Sequence, residues 1–195
     1  MARKIGSHGA ATAILVRAKA IQLIAEHGYE AMSLRQLATE CDMQSGSIYH
    51  YFSSKQDLLV TLLMENMQQL LAAWSTAKSR SPDAVEQLLS FVSFHIHYHT
   101  QYKLEAFISD MELRSLQPAE KIRVVELRKQ YEEELSRILV LGVEQQQFHI
   151  QEIQAVTFAI LSMLTGVYMW YQQNGRLSEA ELIEIYSNLV LKSLK

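Results

Sequence analysis

The side chains best suited to chemistry in this 195-residue chain cluster between Ser33 and Lys55. Gln44, Ser45, Ser47, Tyr49 and His50 carry donors and acceptors of the kind that read base edges. Gly46 lets backbone approach a phosphate or base, and Lys55 adds a point charge for phosphate. A second group is the run from Phe94 to His99, in which His95 and His99 share a helical face at a spacing that suits zinc, while His97 points elsewhere. Asp83 and Glu86 lie turns away and Cys41 belongs to another segment, so no third ligand is evident and no metal is expected. The histidines, with Tyr98 and Tyr102, are expected to line a cavity or to be satisfied within the core. A metal sensor or interaction protein built on His95 and His99 is the alternative reading. Catalysis has little support: there is no G-x-S-x-G elbow, no glycine-rich phosphate loop and no cysteine beside a base, so neither an enzyme nor a cofactor is expected.

The elements that position these groups follow from periodicity. Leu34, Leu37, Ala38 and Cys41 fall on one face of a short helix capped by Ser33. Asp42 and Met43 interrupt it, and Met43, Ile48 and Phe52 resume on a second helix over about 44–51. Ala38 is small where the two would cross and Ile48 is branched where the second presses back, which describes a helix-turn-helix. A preceding helix over about 11–27 carries Val16, Ala20, Leu23 and Ile24 inward and stops at Gly28, with Tyr29 and Met32 packing in the connection. Residues 1–9, with Arg3 and Lys4, read equally as a basic arm for phosphates or the minor groove and as a frayed terminus.

Beyond the head, Ser53 or Ser54 caps a helix over about 55–78, and Pro82 opens another to about 99. Helices over about 101–116 and 118–147 follow, the latter with Ile122, Val125, Leu135, Ile138 and Leu139 inward. A strongly apolar helix over about 152–171 and a final one opened by a Ser178/Glu181 capping box form a hairpin with more apolar surface than one neighbour buries. Pairing of this hairpin with its symmetry mate as a four-helix bundle, in a homodimer, satisfies both faces. The body is also rich in large soft groups, from which a ligand cavity is expected among Trp74, His95, Tyr98, His99, Tyr102, Phe107 and Trp170.

At 49% hydrophobic with only two prolines and seven glycines, the composition favours an all-α fold. The lone Cys41 excludes an internal disulfide and reads as a buried structural thiol. No signal peptide or unbroken apolar span is evident, so a cytoplasmic protein without a membrane partner is expected. The net charge is −3 but uneven: residues 1–55 hold six Lys or Arg against four acids, and the remainder twelve against seventeen. A mildly basic head on an acidic body fits nucleic-acid binding confined to one end.

Ala20, Leu23, Ile24, Gly28-Tyr29, Ser33, Leu37-Ala38, Gly46, Ser47, Ile48, Tyr49, Phe52 and Lys55 together resemble the amino-terminal signature of TetR-family transcriptional regulators. Asp42 stands where the family usually has Gly; Asp tolerates a left-handed backbone, so the turn is expected to survive. The resemblance implies a three-helix DNA-binding domain over 1–54 and a helical ligand-binding and dimerisation domain over 55–195. By analogy with family positions, Arg35, Gln44, Ser45 and Tyr49 would contact bases of double-stranded operator DNA, and Ser33, Ser47, His50, Tyr51 and Lys55 its phosphates. The stretch 166–178, GVYMWYQQNGRLS, looks like a subgroup answering to acyl-coenzyme A thioesters, with Gln172 and Gln173 where relatives often carry a basic residue. The implied function is a repressor homodimer on a pseudo-palindromic operator, released by a small apolar, lipid-like or acyl-CoA-type effector.

Overall fold

The computed structural model describes residues 7–195, so the candidate basic arm with Arg3 and Lys4 lies outside the described residues. Every regular element among them is helical: α1 (Ser7–His27), α2 (Leu34–Glu40), α3 (Ser45–Ile48), α4 (Lys55–Ala77), α5 (Ala84–Gln101), α6 (Lys103–Met111), a 3-10 turn (Leu113–Ser115), α7 (Pro118–Glu144), α8 (Ile153–Thr165), α9 (Val167–Trp170) and α10 (Glu179–Ser193). The chain forms two compact units. One runs through Asn66 and takes in Phe107–Val124; the other comprises Met67–Ala106 and Val125–Lys195.

The first unit is built on α1, whose Val16, Ala20 and Ile24 are fully buried with Leu37, Ala38 and Ile48 of α2 and α3 and Leu58 and Leu59 of α4. The chain leaves α1 through Gly28 at φ +79, the left-handed exit that favours glycine. Ser33 caps α2 by accepting from the Gln36 amide, and Ser54 accepts from Asp57 N at the start of α4. The Arg17 guanidinium binds both oxygens of Glu65 at 2.6 and 2.8 Å and lies 5.6 Å from the Phe52 ring centre, tying α1 to α4.

In the second unit, α5 packs against α8, α9 and α10. Asp83 caps it by accepting from Glu86 N, so α5 opens at Ala84 and Pro82 sits just outside instead of at its first position. The α7 buried set is Tyr131, Leu135, Ile138 and Leu139, with Val124 on the same face in the first unit. Ile122 and Val125, expected inward, are 69% and 42% exposed because they fall outside that stripe, Ile122 on the opposite face of the helix. The expected single helix over 152–171 breaks at Gly166 into α8 and α9. The apolar stretch Ile153–Trp170 has a mean hydropathy of 1.5, yet only 28% of it is buried. With 13 residues, α8 falls short of the roughly 20 needed to cross a bilayer core. The Ser178/Glu181 capping box forms as expected, both halves present.

Candidate functional site

The helix-turn-helix begins with packing. Leu37 and Ala38 on α2 and Ile48 on α3 are fully buried, so both short helices are held from behind and their other faces look outward. The turn closes through Cys41 N to Leu37 O at 3.1 Å and Met43 N to Ala38 O at 2.8 Å. Asp42 takes φ +54, the left-handed conformation its side chain tolerates, and so replaces the usual glycine. Cys41 is buried, and burial raises its thiol pKa, which suits a packing role.

The recognition element is shorter than the sequence suggests. α3 ends at Ile48, and residues 49–51 continue as turns, with His50 N bonded to Ser47 O and Tyr51 N to Ile48 O. These bonds span three residues, so the expected helix over 44–51 tightens in its second half. Ser33, Arg35, Gln44, Ser45, Gly46, Tyr49 and His50 are exposed, and Ser47 and Tyr51 are half-buried. Tyr49 is 58% exposed. Lys55 is placed differently: its ammonium donates to Glu30 O at 3.0 Å and sits 4.3 Å from the centre of the Tyr29 ring. It therefore secures the connection between α1 and α2 as well as carrying charge at the start of α4.

Tyr29, expected to pack in the connection, is held by a residue that sequence reasoning missed, Glu112. Tyr29 is 6% exposed; its amide donates to Glu112 Oε1 at 3.0 Å and its hydroxyl to Gln56 at 3.1 Å. Glu112 is itself buried, and its other oxygen accepts from Ser115 Oγ at 2.7 Å. No local signal marks a carboxylate 83 residues away as the partner of a turn amide.

In the second unit, aromatic rings form a column. Trp74 meets Phe91 at 5.0 Å and Phe94 at 5.3 Å, Phe91 meets Tyr131 at 5.3 Å, and His95 stacks on His99 at 3.9 Å and 5°. His95 contacts Tyr131 OH through Nδ1 and Thr165 Oγ1 through Nε2. His99 directs Nδ1 to His95 O at 2.9 Å; since a carbonyl only accepts, His99 carries its proton there. Burial drives both imidazoles toward the neutral form, His95 well below its ordinary pKa and His99 to about 4. Burial likewise raises Tyr98 to about 12.

Of the expected ligand residues, Trp74, His95, Tyr98 and His99 are therefore brought together with Phe91, Phe94 and Tyr131. Tyr102 joins at the exposed end, 4.6 Å from Tyr98. Two do not join. Trp170 has Tyr171 and Tyr186 as ring neighbours, and Phe107 belongs to the first unit. His97 points away, as its spacing requires, and pairs with Glu179 at 2.7 Å. Among the described residues no three His, Cys, Asp or Glu side chains converge on a metal position. With both His95 nitrogens engaged, the reading built on His95 and His99 as ligands loses its donor pair.

A cleft of about 280 Å³ opens between α4 and α7. Trp74 is the one expected ligand residue that lines it, beside Glu134; Leu71, Lys78, Gln130 and Arg137 were not singled out by sequence.

The architecture of a buried-back helix-turn-helix followed by a helical body has many counterparts. Residues 16–62 match the family described as bacterial regulatory proteins, tetR family, and residues 81–194 match the tetracyclin repressor-like, C-terminal domain. The chain belongs to the TetR family: it is a transcriptional regulator and not an enzyme. It is 26% identical over 178 residues to the HTH-type transcriptional repressor KstR2 of Mycobacterium tuberculosis, covering 88% of this chain and 87% of that one. It is 28% identical over 125 residues to the fatty acid metabolism regulator protein of Bacillus subtilis, a match spanning 64% of each chain. Among solved structures, a tetR-family regulatory protein from Rhodococcus RHA1 superposes with a TM-score of 0.88 at 28% identity, covering 94% of this chain and 96% of that one. AibR in complex with isovaleryl coenzyme A and operator DNA shares the fold, with a TM-score of 0.82 at 22% identity, covering 94% and 97%.

Proposed function

We propose that this regulator is a cytoplasmic, homodimeric repressor that binds a pseudo-palindromic operator and leaves it when a small apolar or acyl-CoA-type effector enters the body. The observation that carries the DNA half is the division of α2 and α3 into a fully buried back, Leu37, Ala38 and Ile48, and an exposed front bearing Arg35, Gln44, Ser45, Gly46, Tyr49 and His50. Residues 1–54 act as the reading head and 55–195 as the effector and dimerisation domain. Arg35, Gln44, Ser45 and Tyr49 read bases; Ser33, Ser47, His50, Tyr51 and Lys55 hold phosphates. KstR2 carries the word repressor in its name, and AibR was solved with both a coenzyme A thioester and operator DNA. Those names support the direction and effector class assigned here.

Selection of bound sequences from random double-stranded DNA tests the reading. Enrichment of an inverted repeat is expected, and recovery of no sequence over background would overturn it. On the selected operator, Tyr49→Ala should weaken binding about tenfold, the worth of one good base contact, without lowering the melting temperature. A gel shift with unchanged affinity would remove Tyr49 from the interface.

The dimer rests on exposed apolar surface at the end of the chain: Phe158 at 47% on α8, and Ile185 at 42% and Leu189 at 49% on α10. Surface of this kind on two helices of a hairpin is what a four-helix interface covers. Leu189→Glu should place a charge in that interface and yield monomers in sedimentation velocity at micromolar concentration. A variant still sedimenting as a dimer would move the interface elsewhere.

A further inference from the structure

The cleft between α4 and α7 holds an unusual economy of charge. One carboxylate, Glu134, serves three donors: Trp74 Nε1 at 2.8 Å and Lys78 Nζ at 3.1 Å on Oε2, and Arg137 at 2.8 Å on Oε1. The two cations are the more exposed partners, with side chains 42% and 65% accessible against 17% for Glu134. An incoming molecule therefore meets the cations first. Behind them stands Trp74, itself 2% exposed, whose indole N–H bond to Glu134 fixes the ring against Phe91 and Phe94. Those rings lead inward to Tyr131 and His95. Trp74 is thus the wall between a polar cleft and the aromatic interior, and Glu134 is what holds the wall.

We propose that this cleft is the entry site for an amphipathic anion, a carboxylate or phosphate head on an apolar tail, whose head displaces the Glu134 carboxylate from Lys78 and Arg137 into solvent, which breaks the carboxylate's bond to Trp74 and lets the ring swing aside for the tail. The exchange conserves charge pairing at the cations, since one anion replaces another, and water at the open cleft takes over the bonds to the displaced Glu134 carboxylate. Burial alone would raise the Glu134 pKa, but the bonds from Trp74 and Lys78 and the charge of Arg137 hold it below the usual range. It is a standing carboxylate at neutral pH and a fixed competitor for the head. Glu133 also borders the cleft, so the lining carries no net positive excess. Selectivity then comes from exchange at two named cations and not from a broad field. A neutral apolar molecule gains nothing at Lys78 and Arg137 and leaves the Trp74 lock closed.

This inference rests on the effector reading above and names the route and charge class of the effector. The test is calorimetric titration of the full-length protein with decanoate, decanoyl-coenzyme A and 1-decanol. At least one of the two anions should bind, about tenfold or more tighter than the alcohol. Preference for decanoate identifies a carboxylate head and preference for the thioester a phosphate head; both support the site. Glu134→Gln should tighten the anion about tenfold by removing the competitor, while Lys78→Gln with Arg137→Gln should weaken it by a similar factor, with 1-decanol unchanged. The emission of Trp74, isolated by subtracting the Trp74→Phe variant that retains Trp170, should shift to longer wavelength with the anion alone. Equal affinity for all three probes, no binding of any, or anion affinity indifferent to both charge changes would overturn the proposal. Binding of the selected operator without any probe is scored separately, so failure of this site and failure of the regulator reading remain distinguishable.

Discussion

Gly142→Ala should destabilise the protein by about 3 kcal/mol, read as a fall in the urea midpoint with an unchanged slope. Gly142 lies in the last turn of α7, and a Cβ placed there would stand 1.9 Å from Phe148 Cδ2 and 2.2 Å from Cε2. Phe148 is 4% exposed, so its ring has no free direction in which to retreat. The close approach is set by how α7 ends. Gln147 N returns to Gly142 O at 2.8 Å and Gln146 N to Val143 O at 3.0 Å, a Schellman closure that folds the chain back and lays Phe148 over Gly142. The pivot, Gln146, sits at φ +59 where glycine is usual. Gln146→Gly should therefore stabilise by about 1 kcal/mol, the opposite sign four residues on. A Gly142→Ala midpoint within about 0.5 kcal/mol of wild type would show that the ring moves freely and the closure is loose.

That helix end also shows where sequence reading stops. Residues 145–147 are three glutamines with no punctuation, so the expected helix ran to 147, whereas a glycine stop at Gly28 and the Ser178/Glu181 box were legible because they are local signals. The glutamines act at a distance: Gln145 bonds Ala84 N and Pro82 O, and Gln147 bonds Asp83, fastening the end of α7 to the start of α5. Asp42 was readable for the same reason as Gly28, since its backbone tolerance is intrinsic to the residue. The exposed reading face was legible because Ala38 and Ile48 mark its back. Ile122 and Val125 misled because an apolar residue reports hydrophobicity but not which face of its helix a partner covers. The partners of His95 come from α7 and α8, and no spacing within α5 could announce them. The histidine run was visible; its neutrality was not.

That neutrality should make the protein lose stability in mild acid, beginning near pH 6.5. In the unfolded chain His99 titrates near its ordinary value, about 6.5, whereas folded it titrates at about 4. Between those limits the unfolded state binds more protons than the folded one, so the free energy of unfolding falls as pH falls, by about 1.4 kcal/mol per pH unit for one such group. His99 alone then costs about 3 kcal/mol between pH 6.5 and pH 4. His95, held well below its ordinary value by burial and by the neighbouring His99, adds to the loss in the same direction. Carboxylates with lowered pKa values, Glu134 and Glu179 among them, also contribute stability that disappears on acidification, but only as pH approaches and passes below the ordinary carboxylate range. The window separates the two causes. Urea titrations at pH 7, 6 and 5 should show the midpoint already falling between the first two, and His99→Gln should flatten that part of the curve whatever it does to stability at pH 7. A stability that holds level to pH 5 and drops only below it would assign the loss to carboxylates, and would mean that the His95–His99 stack opens to take up its protons without cost.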